Sequence, residues 1–450
     1  MSGRRRGRAR RTHEVLESEI EITGLDDAGR GVGRDQGKVV FVSGALPGEQ
    51  VRYRCVRRLR SHDEAELVEV LVASSDRVEP RCAHHDICGG CALQHMAPSA
   101  QIAAKQQVML DALNHIGGVR PERVDEPLRD EPWGYRRKAR LGVKHVPGKG
   151  GVLVGFREKR MPYIADIQGC EVLVPQIGQR IRELRALLDS LQARARIPQI
   201  EVAVGDTASV LVFRNLDPLV EADLERLREF ARHSGVAVYL QPGGYDSIEP
   251  LYPEQGVELC YRLPESDLEL QFDARDFVQV NARINARLVA IAVEALDLDA
   301  SDRVLDLFCG LGNFSLAIAR RAAEVLGLEL GAAMVERAAR NARHNGIDNA
   351  RFEVVDLSMG SGLGDILQRG FDKLLLDPPR SGAREVIEQL GGRLPRRIVY
   401  VSCNPATLAR DAGLLVHTHG YRLQTCAAVD MFPHTSHVES LAVFVRETVA

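Results

Sequence analysis

The chain has 450 residues, of which 45% are hydrophobic, and a formal net charge of −3. Because this length exceeds one ordinary domain, we expect two to four folded units. No apolar run approaches the roughly 18 residues that span a bilayer, and the N-terminus lacks the apolar core of a secretory signal, so a cytoplasmic protein is expected. The nine cysteines are not spaced as a small disulfide scaffold, which favours metal binding and catalysis in a reducing compartment.

Residues 1–13 are predicted to form a basic, disordered arm. Six of the first eleven residues are arginines with no acid among them, which leaves a charge of −9 on the remainder. Such an arm commonly contacts a polyanion, and the alternative is a tail that only increases solubility.

Residues 14–73 are predicted to form a small five-stranded barrel of the oligonucleotide-binding type. Short alternating runs, such as 38–42 and 51–54, are separated by glycines, as in small β-barrels. The glycine-rich motif at 29–34 resembles that of the TRAM domain found on RNA-modifying enzymes. Seven arginines would lie on this barrel: Arg30, Arg34, Arg52, Arg54, Arg57, Arg58 and Arg60.

Residues 74–265 are predicted to form a mixed α+β central domain that binds RNA. Apolar residues recur at helical spacing over 100–116, which predicts an ordinary packing helix, either within this domain or against the C-terminal one. Aromatic and cationic residues alternate at 133–140 and again at 156–160. Such runs can stack bases and hold phosphates, although they also occur on solvated strand faces.

A group of cysteines opens this central domain and predicts a metal site. Three of them follow the spacing Cys-x5-Cys-x2-Cys, and a fourth ligand must come from farther along the chain. From spacing alone, structural zinc is slightly favoured over an iron-sulfur cluster, and a histidine could complete the set. The residues concerned are Cys82, Cys88, Cys91, the distant Cys170, and His84, His85 or His95.

Residues 266–450 are predicted to form a Rossmann-like α/β domain. A buried strand at 303–308, a glycine turn at 309–313 and a helix at 314–322 indicate a nucleotide-cofactor loop. Glu329 ends the next predicted strand, where an acid commonly binds a ribose. Asp306 would oppose a pyrophosphate but would favour the ammonium and sulfonium of S-adenosylmethionine, so this cofactor is favoured over a dinucleotide.

Two further predicted strands also end in acids, Asp356 on the third and Asp377 on the fourth. Since ligands bind at the carboxyl ends of parallel strands, these acids and Glu329 are expected at one edge of the sheet. Asp377 begins an Asp-Pro-Pro motif that also occurs in methyltransferases acting on adenine amino groups. There an aromatic residue usually follows, whereas Arg380 follows here.

Cys403 lies between a β-branched run and Asn404-Pro405, where a helical pattern begins. A lone cysteine is often a buried core residue, but a helix N-terminus can lower the pKa of a thiol and make it a nucleophile. Such a thiolate suits pyrimidine methylation, because its addition at C6 allows C5 to attack a methyl group, after which a base removes the C5 proton. The candidate bases are His434, His437 and Glu439.

Four motifs together resemble those of the RNA 5-methyluridine methyltransferases. The TRAM-like start and the four cysteines resemble the bacterial branch that methylates uracil-1939 of 23S ribosomal RNA, whereas the transfer-RNA branch typically lacks both. The resemblance covers almost the whole chain. The motifs are Asp-Leu-Phe-Cys-Gly-Leu-Gly-Asn-Phe at 306–314, Leu-Asp-Pro-Pro-Arg-Ser-Gly at 376–382, Val-Ser-Cys-Asn-Pro-Ala-Thr-Leu-Ala-Arg-Asp at 401–411 and Met-Phe-Pro-His-Thr-Ser-His-Val-Glu-Ser at 431–440.

This resemblance implies an S-adenosylmethionine-dependent enzyme with Cys403 as nucleophile and Glu439 as base. It also implies a [4Fe-4S] cluster, in place of zinc, on Cys82, Cys88, Cys91 and Cys170. The implied contacts to S-adenosyl-L-methionine come from Gln279, Phe308, Asn313, Glu329, Asp356 and Asp377.

The expected partner is 23S ribosomal RNA, and the expected oligomeric state is a monomer without a membrane contact. Methylation of another ribosomal or transfer RNA uridine is an alternative. Cytosine-C5 methylation is a further alternative, although that RNA family usually has a second cysteine after the fourth-strand proline and Pro379-Arg380 has none. A non-enzymatic alternative is an RNA-binding or chaperone protein with a vestigial catalytic domain, against which the intact Cys403, Glu329 and Asp377 argue.

Overall fold

A computed structural model describes residues 17–358, 363–390 and 394–446. The arginine-rich arm predicted at 1–13 lies outside these residues. The described chain divides into two compact units, one made of residues up to 79 with 95–97, the other of 80–94 with the residues from 98 onward. None of the helices in these ranges is long and apolar enough to cross a membrane.

The first unit is a closed five-stranded barrel with the strand order β1-β2-β3-β5-β4, which confirms the predicted β-barrel. Alternate side chains such as Ile22, Val40 and Val51 fill its interior. Gln36 and Gly37 join β2 to β3 with positive φ angles of 47° and 84°, as the tightest antiparallel hairpin turn requires. The strands are β1 (Glu17–Leu25), β2 (Gly31–Asp35), β3 (Lys38–Ser43), β4 (Gln50–Arg58) and β5 (His62–Val72).

Part of the arginine charge on this barrel is paired with nearby acids. Arg52 contacts Glu19 at 2.9 Å and Glu69 at 2.5 Å, and Arg30 contacts Asp26 at 2.7 Å. These guanidinium groups are therefore partly neutralised, and the barrel surface is less positive than the number of its arginines suggests.

A six-stranded sheet forms the middle of the second unit, in the order β12-β11-β10-β9-β7-β8. Its pairs are antiparallel except for β10 and β11, and a separate hairpin, β13-β14, follows it. The elements before the hairpin are α1 (Pro98–Ala112), β6 (Arg123–Val124), β7 (Lys138–Val146), β8 (Gly151–Gly155), α2 (Pro175–Gly178), α3 (Ile181–Ser190), β9 (Gln199–Val204), β10 (Ser209–Arg214), α4 (Glu221–Ser234), β11 (Ala237–Gln241) and β12 (Glu249–Tyr252). The hairpin consists of β13 (Leu259–Leu263) and β14 (Leu268–Phe272).

The C-terminal part is a doubly wound eight-stranded sheet in the order β17-β16-β15-β18-β19-β21-β20-β6. The first five strands in this order are parallel, and the inner four, β16, β15, β18 and β19, are largely buried because helices cover both faces. The elements are α5 (Ala282–Ala295), β15 (Arg303–Leu307), α6 (Ser315–Ala319), β16 (Glu324–Glu329), α7 (Ala332–His344), β17 (Ala350–Val354), α8 (Leu363–Gln368), β18 (Lys373–Leu376), α9 (Arg384–Glu388), β19 (Arg397–Ser402), α10 (Pro405–His417), β20 (Arg422–Val429) and β21 (Glu439–Val445).

Segments from before residue 266 also belong to this C-terminal core. Helix α1 packs against α10 and β20, and Met109 with Leu113 lies in the same apolar cluster as the parallel strands. Strand β6 extends the sheet at its edge, and the β13-β14 hairpin spans the predicted boundary at 265–266. Residues from the central and C-terminal segments therefore pack in the same hydrophobic core.

Candidate active site

The carboxyl ends of the parallel strands line one cleft with an empty volume of about 2140 Å³. The six residues expected to contact the cofactor, the expected nucleophile and the expected base all lie on its wall. The reason is topological, because each of these residues lies at or just after the end of a strand or in a loop beside it. The eight residues are Gln279, Phe308, Asn313, Glu329, Asp356, Asp377, Cys403 and Glu439.

Glu329 is fixed between two loops at one end of the cleft. Its two carboxylate oxygens accept hydrogen bonds from the backbone N–H of Gly310, at 3.2 Å, and of Gly331, at 3.0 Å. Phe308, at the tip of β15, has a positive φ of 67°, an uncommon conformation for a bulky residue. The turn after β15 is thus held in one geometry against the next strand.

Two polar residues that were not predicted from the sequence hold the side chain of Asn313 by hydrogen bonds. Its amide exchanges two hydrogen bonds with the amide of Asn285, at 2.9 and 3.0 Å, and its oxygen also accepts the hydroxyl of Tyr261 at 2.8 Å. Asn285 lies on the buried face of α5, and a polar residue at an apolar helical position is the signal that could have revealed it. Asp356, by contrast, is oriented by its neighbour Ser358.

Acidic side chains give this end of the cleft a negative character. Asp306 is fully buried under the wall, where it accepts a hydrogen bond from the Ser315 hydroxyl. Burial, followed by the nearby Asp377 and Glu329, raises the pKa of Asp306 to about 7. Burial likewise raises the pKa of Asp377 to about 7. A cationic ligand is favoured here because it would relieve the repulsion between these acids.

Cys403 directly follows β19 and is half-buried on the cleft wall. Helix α10 begins beside it, where the Asn404 side chain caps the helix by accepting the N–H of Ala406 at 3.0 Å. The expected lowering of the thiol pKa is not what the structure gives. Burial, with smaller contributions from Glu439 and Asp377, raises the pKa of Cys403 to about 11, and only part of this effect is offset by Arg380.

Of the three candidate bases, Glu439 and His437 line the cleft, whereas His434 is not part of its wall. Burial, followed by the nearby Asp377, raises the pKa of Glu439 to about 8. His437 has its Nδ1 2.9 Å from a guanidinium nitrogen of Arg380, and burial lowers its pKa. Glu439 thus combines a place on the cleft wall with a pKa not far above neutrality, whereas His437 is hydrogen-bonded to Arg380.

The four predicted metal-binding cysteines line a separate cavity with an empty volume of about 340 Å³, together with His84 and His85. All nine cysteines of the chain are free of disulfides. Burial raises the pKa of Cys91 to about 12 and that of Cys170 to about 11. Within residues 17–358, 363–390 and 394–446, no three Cys, His, Asp or Glu side chains form a group that could hold a metal ion. Four thiols around one cavity nevertheless match in chemistry the donors of a thiolate-bound cluster.

Comparisons with known proteins agree with this architecture. Residues 207–447 match the family model described as tRNA (Uracil-5-)-methyltransferase, and residues 12–54 match the TRAM domain. The 23S rRNA (uracil(1939)-C(5))-methyltransferase RlmD of Alkalilimnicola ehrlichii is 53% identical over 441 residues, which are 98% of this chain and 99% of the relative. The protein of the same name from Xanthomonas axonopodis pv. citri is 50% identical over 95% of this chain and 97% of its own.

A solved structure also resembles this chain over most of its length. The tRNA (uracil-54, C5)-methyltransferase of Pyrococcus abyssi, in complex with S-adenosyl-L-homocysteine, superposes with a TM-score of 0.72 at 25% identity and covers 95% of this chain and 100% of its own. Fold, domain match and sequence identity thus agree, and the chain belongs to the tRNA (uracil-5-)-methyltransferase family.

Proposed function

We propose that this protein transfers a methyl group from S-adenosyl-L-methionine to C5 of a uridine in 23S ribosomal RNA, at the uracil-1939 site named in its relatives. The observation that carries the proposal is the placement of a thiol, an enclosed carboxyl group and an acidic cofactor end in one cleft. The 53% identity to the Alkalilimnicola protein supports the choice of 23S ribosomal RNA.

Cys403 acts as the nucleophile in this proposal. C5 of uracil is too weak a nucleophile to take a methyl group unaided, so the Cys403 thiolate adds to C6 and shifts the ring electrons to C5. Arg380 lies near both reacting groups and favours their ionised forms. A carbon-sulfur bond forms at C6, and the C5=C6 double bond is replaced by an enolate.

Glu439 acts as the base that completes the reaction. Once C5 is methylated, the Glu439 carboxylate takes the C5 proton, the C5=C6 double bond forms again, and the bond between C6 and Cys403 breaks. Since burial raises the pKa of Glu439, its carboxylate is a stronger base than an exposed one.

The cofactor, when bound, supplies the methyl group as a sulfonium. The residues that would hold it are Gln279, Phe308, Asn313, Glu329, Asp356 and Asp377, all on the wall of the same cleft. Glu329, with its oxygens already aligned by two backbone N–H groups, suits the ribose hydroxyls. The buried acids beside it suit the positive charge.

The test is tritium release from 23S ribosomal RNA labelled at C5 of uracil, in the presence and absence of the cofactor. Cofactor-dependent release from uracil-labelled RNA is expected, with no release from RNA labelled at C5 of cytosine. Release only from the cytosine-labelled RNA would establish cytosine methylation. If release comes from uracil, sequencing of the product shows whether the methylated uridine is at the 1939 site or elsewhere. No release from either RNA would contradict a C5-methyltransferase.

We also propose a [4Fe-4S] cluster on Cys82, Cys88, Cys91 and Cys170. The support is that four thiols, of which that of Cys91 is buried, line one cavity and none is used in a disulfide. Four cysteine thiolates are the usual donor set of such a cluster, and the resemblance to the 23S ribosomal RNA branch favours it over a single zinc ion.

The remaining assignments follow from the same proposal. The arm at 1–13, the barrel at 14–73 and the central domain at 74–265 would bind the RNA, and the domain at 266–450 would perform the chemistry. The protein would act in the cytoplasm, where ribosomal RNA is found, and as a monomer.

A further inference from the structure

His434 is buried, with 2% of its surface exposed, although it lies outside the cleft. It sits in the segment between β20 and β21, residues 430–438, called here the pocket segment. Its φ of 66° is in the left-handed region, which costs a residue with a bulky side chain on the order of 1 kcal/mol. Such a conformation persists only where surrounding contacts hold it, and the contacts around His434 come from two directions.

The first set of contacts comes from the cysteine loop, residues 82–94. The backbone N–H groups of Ala92 and Leu93 both donate to the carbonyl oxygen of His434, at 2.8 and 2.9 Å. The Trp133 ring lies against the imidazole at a centroid distance of 4.0 Å, and Trp133 also packs on the cluster that contains Cys91. The cysteine loop therefore holds the backbone of His434, while Trp133, which packs on the Cys91 cluster, holds its ring.

The second set of contacts comes from helix α1. The Gln101 side chain accepts the backbone N–H of His434 at 2.9 Å, while its amide nitrogen lies 3.1 Å from the imidazole Nδ1 and donates to the Leu93 carbonyl at 3.0 Å. A single glutamine thus joins the pocket segment to the cysteine loop. Lys105, one helical turn later, binds Asp430 at 2.8 Å and the Phe432 carbonyl at 3.0 Å.

The opposite side of the pocket segment forms part of the cleft wall. Phe432 and His437 both line the cleft, with their rings 5.4 Å apart, and Arg380 contacts His437. Glu439 follows directly, and its backbone is held by pairing with Val429. The sheet therefore fixes the backbone position of Glu439. The cleft wall beside it depends on how the pocket segment is anchored at His434.

We propose that His434 is a positioning residue through which the cysteine loop and α1 hold the pocket segment as the wall of the uracil site. The inference rests on the proposed function, since it assumes that Cys403 and Glu439 react with uracil beside this wall. It assigns the cysteine loop a role in the chemical step, because the loop's backbone is bonded directly to the segment that borders the base. Loosening His434 slows adduct formation without weakening the binding of RNA or cofactor.

The test compares full-length variants with intact cysteines on RNA that contains 5-fluorouridine, which traps the methylated covalent adduct. His434→Gly keeps the left-handed backbone but loses the ring, and adduct formation is expected to slow about 100-fold, the effect of misplacing a reacting group by about 1 Å. His434→Asn tolerates the same φ and keeps a polar side chain, so it should recover to within about tenfold of the original rate. The matched control is His417→Ala. His417 is the last residue of α10 and contacts the Gly117 carbonyl, so its loss should leave the rate unchanged.

Two further measurements separate positioning from general damage. The Kd values for RNA and for S-adenosylhomocysteine should stay within about threefold in His434→Gly. Hydrogen exchange should accelerate at 92–93 and 430–438 and remain unchanged elsewhere. An unchanged rate, a parallel loss of binding, or acceleration of exchange throughout the chain would overturn the inference. If the unsubstituted protein forms no adduct, the proposed function itself fails, and the exchange data still show whether His434 couples the two segments.

Discussion

Glu439 and Cys403 line the same cleft, where burial and, after it, the carboxylate of Glu439 raise the pKa of the Cys403 thiol. Two negative charges at these positions disfavour each other, so the site holds a carboxylate or a thiolate more readily than both. Bonding of the sulfur to C6 removes the charge from the thiolate. Glu439 can therefore ionise after Cys403 has reacted, which is when the C5 proton must be removed.

Replacing Glu439 with Gln should stop the reaction after methyl transfer. Turnover is expected to fall by about 10²–10⁴, the usual contribution of a general base, while a covalent complex with ordinary uridine RNA accumulates. Denaturing gel electrophoresis would detect this complex. Cys403→Ala is the control, because it should bind RNA but form no complex. Normal turnover by Glu439→Gln would show that another group removes the proton.

The reactivity of Cys403 should respond in opposite directions to its two charged neighbours. At pH 8 the thiol is mostly protonated, because its pKa is raised to about 11. Glu439→Gln removes a negative charge and should lower this pKa and speed alkylation by iodoacetamide, whereas Arg380→Ala removes a positive charge and should slow it. Mass spectrometry of the peptide containing Cys403, over pH 7–10, measures the rates, and equal rates in both variants would refute the coupling.

The sequence predicted which side chains meet in the cleft, because their placement depends on strand ends. Glu329 and Asp377 needed only correct strand boundaries and the rule that ligands bind at the carboxyl edge of a parallel sheet. The pKa of Cys403 was predicted in the wrong direction, since the helix N-terminus was visible in the sequence but burial beside Glu439 was not. Contacts between distant segments, such as Gln101 with His434, leave no local pattern and could not be predicted from one sequence.

The four cysteines should bind iron rather than zinc. Protein purified without oxygen is expected to contain iron and acid-labile sulfide in equal amounts, with a broad visible absorption. Cys91→Ser should lose both, because the buried thiolate is a ligand, whereas Cys426→Ser, a buried cysteine away from the cavity, should retain them. Zinc without sulfide in the same preparation would contradict the cluster.

The buried ion pair between Lys105 and Asp430 should stabilise the fold only while both partners are present. Both side chains are at most 5% exposed and their charged atoms lie 2.8 Å apart. Lys105→Met leaves a buried carboxylate without its cation and should lower the free energy of unfolding by about 3–5 kcal/mol, measured with urea. Lys105→Met with Asp430→Leu should recover most of this loss, and Arg123→Met, from an exposed pair with Asp125, should cause no measurable change. A double variant as unstable as the single one would refute the charge explanation.

The amide pair between Asn285 and Asn313 should control cofactor affinity without affecting RNA affinity. Asn285→Ala removes two hydrogen bonds that orient the Asn313 side chain, and Tyr261→Phe removes a third. Since a buried hydrogen bond contributes about 1 kcal/mol, Asn285→Ala should weaken S-adenosylhomocysteine binding by about 10- to 30-fold, and Tyr261→Phe by about 5-fold. Calorimetric titration measures these Kd values, and a filter-binding assay with RNA serves as the control. An unchanged cofactor Kd in Asn285→Ala would show that Asn313 is held by the turn itself, because Gly310 and Gly312 already fix the backbone on its N-terminal side with φ angles of 55° and 94°.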